Sequence, residues 1–168
     1  MTAIFYMHTQ SVKKHMPLTN EQLETIRRPS LTLKIICAAL IAGVCMFGVM
    51  LCMIINFNNL NTIFDMLVLL AASSGAVMYL MSFIAFKVLS GQTDARNETT
   101  AAHFKVLQTS WIVRYAIIEG AVFLNLIVTF AENSLITLFV AVVGLLLMVI
   151  GFPRAIVIEG LLEERLKD

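Results

Sequence analysis

Two long stretches of this 168-residue chain, Ile35 to Phe86 and Tyr115 to Pro153, contain no lysine and no arginine. All 12 cations fall in three blocks: Lys13 to Lys34, Lys87 to Arg114, and Arg154 to Lys167. Other chemistry is equally sparse. There is no phosphate-binding glycine loop, no H-E-x-x-H, no G-x-S-x-G and no pair of acids deep in an apolar stretch, so an enzyme is not expected and no cofactor is implied. The three cysteines, Cys37, Cys45 and Cys52, form no C-x-x-C, which argues against a dithiol redox site. His8, His15 and His103 are scattered outside the apolar stretches, so no metal centre is expected. Met46, Met50 and Met53 near the cysteines, and Met78 and Met81 further on, would suit Cu(I) as soft ligands, but they read as ordinary apolar filling. The net charge of +1 gives no reason to expect nucleic acid.

What the chain has is apolar length. Hydrophobic residues make up 59% of it, against about 45–50% in soluble domains. Each cation-free stretch holds two segments near the ~20 residues that cross a bilayer. Polar punctuation places the spans at 33–55, 62–86, 111–131 and 135–152. Asn56–Asn61 and Glu132–Ser134 form short turns, and Lys87 and Pro153-Arg154 act as stops. The first span starts too late and runs too long for a cleaved signal sequence. Lys and Arg near span ends collect on the cytoplasmic side. Four spans with both termini inside would put every cation there, in a bacterial cytoplasmic membrane. The expected fold is all-α: a four-helix transmembrane bundle of two tight helical hairpins over 33–153, with a cytoplasmic tail at 1–32 and another at 154–168.

The N-terminal tail carries one local signature. Thr19-Asn20-Glu21-Gln22 matches a capping box, with Leu18 and Leu23 placed as a hydrophobic staple. It predicts a short helix over 20–28, ended by Pro29. Two readings remain for it, a surface helix leading into the first span and a partner-docking helix.

Small residues mark packing surfaces. Ala39 with Gly43, and Ala71 with Gly75, are small-xxx-small pairs that let helix backbones approach closely. Ala39 to Gly43 also aligns with Ala116 to Gly120 at an offset of 77 residues, which also pairs Asn56 with Asn133. The match is either a duplicated hairpin, giving parallel repeats, or a coincidence of apolar sequence.

Glu119 is the one acid at depth. It lies about 12 Å past Trp111 at ~1.5 Å per residue. A carboxylate there needs a partner or an aqueous cavity. Arg154 is the first candidate, because a tight turn makes the third and fourth helices neighbours. Lys87 is the second, and Tyr115, one turn earlier, can donate a hydrogen bond. Arg114 lies about 140° around the helix and suits the role less well. Glu119 is then either a structural ion pair or protonated acid, or a proton- or cation-binding group in a polar cavity with Ser73 and Ser74.

Arg114-x-Ala116-Ile117-Ile118-Glu119-Gly120-Ala121, followed by a short turn, an apolar span and Phe152-Pro153-Arg154, resembles a group of small uncharacterised bacterial inner-membrane proteins. The resemblance covers roughly residues 33 to 160. It implies four spans with an R-x-A-x-x-E-G segment in the third helix, and it brings no established activity. Rotor-ring proteolipids and small multidrug exporters are similar only in part. The first place their acid on the returning helix of a hairpin; the second place it in the first helix, where this chain has Ala42. The functional expectation is a small membrane protein with a structural, accessory or partner-binding role. Its partners are the lipid bilayer and another membrane protein or a second copy of itself. The alternative is an oligomeric proton-coupled transporter or channel using Glu119.

The charge pattern makes a direct prediction. On a cysteine-free background, single cysteines near Met1, in the 91–100 linker and near Asp168 will resist a membrane-impermeant thiol reagent in intact cells and react after permeabilisation. Labelling of the linker from outside would contradict the expected topology.

Overall fold

The computed structural model describes residues 20–55, 60–63, 65–91 and 100–165. The described residues form five helices: α1 (Asn20–Ile54), α2 (Met66–Gly91), α3 (Thr100–Glu132), α4 (Leu135–Ile150) and α5 (Ala155–Arg165). The architecture is all-α, with three long apolar helices and a shorter fourth packed together. Arg27–Ile54, Met66–Gly91 and Ala101–Glu132 are each long and apolar enough to cross a membrane, so the chain is a multi-pass membrane protein. With 16 residues, α4 is about 24 Å long, short of a ~30 Å hydrocarbon core.

The layout differs from two hairpins side by side. α3 is the hub: α2, α4 and α1 all pack on it, α2 and α1 also touch α4, and α1 and α2 have no substantial contact with each other. α1, α4 and α2 therefore form an arc around α3. The expected first hairpin is not a packed unit. The reason lies in the connection. Residues 55–65 separate α1 from α2, and Asn61 among them lies at the end of α3, whereas only Asn133 and Ser134 separate α3 from α4. With the halves packed so differently, the suggested duplication has no counterpart in the fold; Asn56, its turn residue, lies outside the described residues.

The crossing segment is pinned where it passes. Asn61 forms an isolated parallel bridge with Ser134. Its N–H donates to Asn133 O (2.8 Å), its carbonyl accepts from Leu135 N–H (3.0 Å), and its side-chain amide donates to Glu132 O (3.2 Å). These bonds occupy backbone groups that the end of α3 and the start of α4 leave unpaired. Asn133 makes the turn in the left-handed region (φ 48°), a conformation asparagine tolerates better than most residues.

Close packing is concentrated between α2, α3 and α4. The buried residues of α2 are Val68, Ala71, Gly75, Tyr79 and Ser82, and those of α4 are Thr137, Ala141, Gly144 and Met148. Both sets recur every three or four residues, so each helix presents one seam. A Cβ on Gly75 would lie 2.5 Å from Asn125 Nδ2 and 3.0 Å from Val140 Cγ1. One on Gly144 would collide with the Tyr79 ring and hydroxyl and with Val122. The Tyr79 hydroxyl donates to Val140 O at 2.8 Å, tying α2 to α4.

Gly43 was expected at such a contact and is not. A Cβ there would meet nothing within 4 Å, and Ala39 is exposed. α1 instead turns Leu33, Cys37, Val44 and Leu51 inward, a seam that excludes the Ala39–Gly43 face.

Two helix boundaries also differ from expectation. Pro29 does not end a short helix; it lies inside α1. Proline removes one backbone donor and disfavours helix at the preceding residue. Around it, Ser30 Oγ donates to Arg27 O (2.9 Å) and Thr32 Oγ1 to Arg28 O (3.3 Å), and the apolar run that follows holds the helical conformation that a bilayer requires. The capping box begins at Thr19, outside the described residues. α3 starts at Thr100 rather than near Trp111, and its first turns bury His103, Phe104 and Leu107. α5 was not foreseen. Its Ile158 and Leu162, one turn apart, belong to the same buried cluster as Phe104 and Leu107.

The difference between the glycines is measurable. Gly75→Leu and Gly144→Leu will each destabilise the folded protein in detergent by about 1–3 kcal/mol, the usual effect of overpacking. Gly43→Leu will stay within about 0.5 kcal/mol of wild type. Thermal aggregation of the purified variants reads the difference, and equal effects at all three positions would contradict this packing.

Candidate functional site

Three aromatic and polar side chains near the start of the apolar part of α3 close the end of α4. Trp111, Arg114 and Tyr115 sit at i, i+3 and i+4, which puts them on adjoining faces of a helix. The Tyr115 hydroxyl donates to Met148 O at 2.6 Å, and Trp111 Nε1 donates to Gly151 O at 3.4 Å. The α4 backbone turns in on itself beside them, with Gly151 N–H on Leu147 O (3.0 Å) and Phe152 N–H on Val149 O (3.3 Å). The carbonyls that a helix leaves unpaired at its C-terminus are thus largely satisfied, which stops α4 here despite its short length.

Arg114 completes this clamp. Its guanidinium lies over Phe83 of α2, 4.6 Å from the ring centroid, and 5.6 Å from that of Phe86. Phe86 also meets Trp111 edge-on at 5.1 Å. A Cβ on Gly151 would come within 3.1 Å of Arg114 Nη2, so the cation rests against the C-terminal end of α4, where the helix dipole favours positive charge. Its Nε is buried with no hydrogen-bond partner. Ring faces and the helix end hold this arginine, and no acid pairs with it among the described residues. The sequence offered a signal in W-x-x-R-Y facing F-x-x-F, but which helix faced which was not readable from it.

Glu119 occupies a different side of α3. Its side chain is half-buried and makes no ion pair or hydrogen bond with any described residue. Each expected partner is engaged or placed elsewhere. Arg154 is exposed on the turn between α4 and α5, Lys87 is exposed near the end of α2, and Tyr115 donates to Met148. The tight α3–α4 turn does make those helices neighbours. However, α4 docks on the Trp111 and Arg114 side of α3 and takes up the Tyr115 hydroxyl, while Glu119, one turn past Tyr115, is turned towards α1. The register shows this: Phe123, one turn after Glu119, meets Phe47 of α1 edge-on with ring centroids 5.1 Å apart.

The polar groups between α2, α3 and α4 bond locally. Asn125 Nδ2 donates to Ala121 O (2.9 Å), Thr129 Oγ1 to Asn125 O (2.8 Å), and Ser82 Oγ to Tyr79 O (2.6 Å). The hydroxyls of Thr129 and Thr137 lie 2.8 Å apart and link α3 to α4. Of the two serines expected to line a cavity with Glu119, Ser73 is exposed and bonds Leu70 O, and Ser74 bonds Ala71 O. Neither joins Glu119. Of the cysteines, Cys37 is buried, and Cys45 and Cys52 are exposed; among the described residues no three His, Cys, Asp or Glu side chains converge as metal ligands do. Comparison with protein-family models, curated proteins and solved structures finds no match.

Double-mutant cycles separate the two sites. Glu119→Gln and Arg154→Ala will have additive effects on stability within about 0.5 kcal/mol. Arg114→Ala and Phe83→Ala will couple by about 0.5–2 kcal/mol, as a cation over a ring does. Coupling in the first cycle with additivity in the second would reverse the assignment.

Proposed function

We propose that this chain is a non-enzymatic integral protein of a bacterial cytoplasmic membrane. In this reading it has four spans, with both termini and the 92–99 linker in the cytoplasm, and a structural, accessory role exercised by binding another membrane component. The observation that carries this reading is the position of Glu119. It stands at the flank of the helix arc, apart from the interior hydroxyls and amides, which bond to helix carbonyls or to one another. A transport route needs polar groups in sequence across the bilayer. Among the described residues the single deep acid makes no hydrogen bond or ion pair through which to pass a proton. The cation distribution supports the orientation, and the clamped end of α4 next to Arg154 suits the cytoplasmic boundary of a short fourth span.

Flux measurements test the proposal. In proteoliposomes carrying a pH gradient, the wild-type chain and Glu119→Gln will both leak protons at the rate of empty liposomes. A proton flux through wild type that Glu119→Gln abolishes would overturn the accessory role in favour of a transporter or channel.

A further inference from the structure

The packing leaves one side of α3 uncovered. Because α1, α4 and α2 form an arc, the gap between α1 and α2 exposes Ala116, Gly120 and Leu124 of α3. The Phe47–Phe123 contact fixes the register of α1 against α3. Four residues earlier on each helix, the turn of Gly43 lies alongside the turn of Glu119. At Gly43 there is open space, since an added Cβ would meet nothing within 4 Å. At Gly120 an added Cβ would reach only Met78 Cε, at an ordinary 3.7 Å. The gap is therefore low-walled at the depth of Glu119, and a helix laid in it could approach the backbone closely.

Glu119 decides what such a helix must carry. A carboxylate in the hydrocarbon zone is matched by a cation or a strong hydrogen-bond donor, and this one has neither within the described residues. A second copy carries no cation at that depth, because the stretches Ile35–Phe86 and Tyr115–Pro153 contain none and its Lys87 and Arg154 stand at the ends of the spans. Arg114, the cation nearest in sequence, is held on Phe83 and Phe86. We infer that the gap between α1 and α2 is a seat for a transmembrane helix of a different protein, one bearing a lysine or arginine within its span that pairs with Glu119. The inference rests on the accessory reading above and names the kind of partner it takes.

The probe is a synthetic Leu/Ala transmembrane peptide with one lysine about eight residues from its end, matched to the ~12 Å depth of Glu119. A control peptide has leucine at that position. Energy transfer from a fluorophore on the full-length protein in liposomes measures association. The lysine peptide is expected to bind wild type at least tenfold more tightly than the leucine peptide. Glu119→Gln will bring that preference below twofold. Gly43→Leu, which the open space tolerates in the folded chain, will also bring it below twofold by filling the seat. Equal binding of the two peptides to wild type, or a preference that survives Glu119→Gln, overturns the inference. So does transfer between copies of the protein that Gly43→Leu removes, since a second copy would then fill the gap. A pH-sensitive dye in the same liposomes keeps the two readings apart. Glu119-dependent flux overturns the accessory role, whereas equal peptide binding without flux overturns the helix seat alone.

Discussion

The close approach of α2 and α4 to α3, at Gly75 and Gly144, is the constraint on which the rest of the structure depends. In lipid, helices gain little from burying apolar surface against one another, so association rests on contact distance and on hydrogen bonds between helices. Both meet at one level of this bundle. Gly144 admits the Tyr79 ring, whose hydroxyl bonds Val140 O, and Gly75 admits the amide of Asn125. With these contacts made, α2 and α4 are fixed on adjoining sides of α3, and α1 is left to pack on α3 and the far edge of α4. The uncovered gap follows from this arrangement, with Glu119 at its α1 edge.

The two ends of the bundle are closed by different means. At one, Asn61 inserts its backbone and amide between the end of α3 and the start of α4. At the other, Trp111, Tyr115 and Arg114 cover the last turn of α4. Both devices satisfy backbone groups that would be costly to leave unpaired near hydrocarbon. They also explain how a helix of 16 residues holds a place beside helices of 26, 33 and 35 residues. The same clamp holds Arg114 on the opposite side of α3 from the acid five residues away in sequence.

Much of the architecture was legible in the sequence, for particular reasons. Apolar length and cation-free stretches marked the helical spans, and the turn at Glu132–Ser134 was explicit. Which helix packs on which was not legible. A helix apolar on every side carries no stripe to show its buried face. Gly43 and Gly75 sit in equivalent small-xxx-small pairs, yet only Gly75 touches a neighbour, and that outcome is set by Asn125 and Val140 on other helices. The partner assigned to Glu119 failed for the same reason: depth and lean along a helix were deducible, but rotation about its axis was not. Local preference makes Pro29 a helix stop, and the demand of the following span overrides it. The 155–165 helix carries only a weak signal, Ile158 and Leu162 on one face, because its partner, the first turns of α3, lies in sequence that reads as linker.

The central claim is that α3 is the hub, with α1 and α2 on separate sides of it. Cysteine cross-linking in native membranes, on a cysteine-free background, tests it most directly. With a short bifunctional thiol reagent, Phe47→Cys paired with Phe123→Cys should cross-link efficiently, because those rings are in contact. Phe47→Cys paired with Val77→Cys, on the exposed face of α2, should not. Efficient linkage of the second pair and none of the first would mean that α1 and α2 form a packed hairpin, and the hub arrangement, with its uncovered gap beside Glu119, would be wrong.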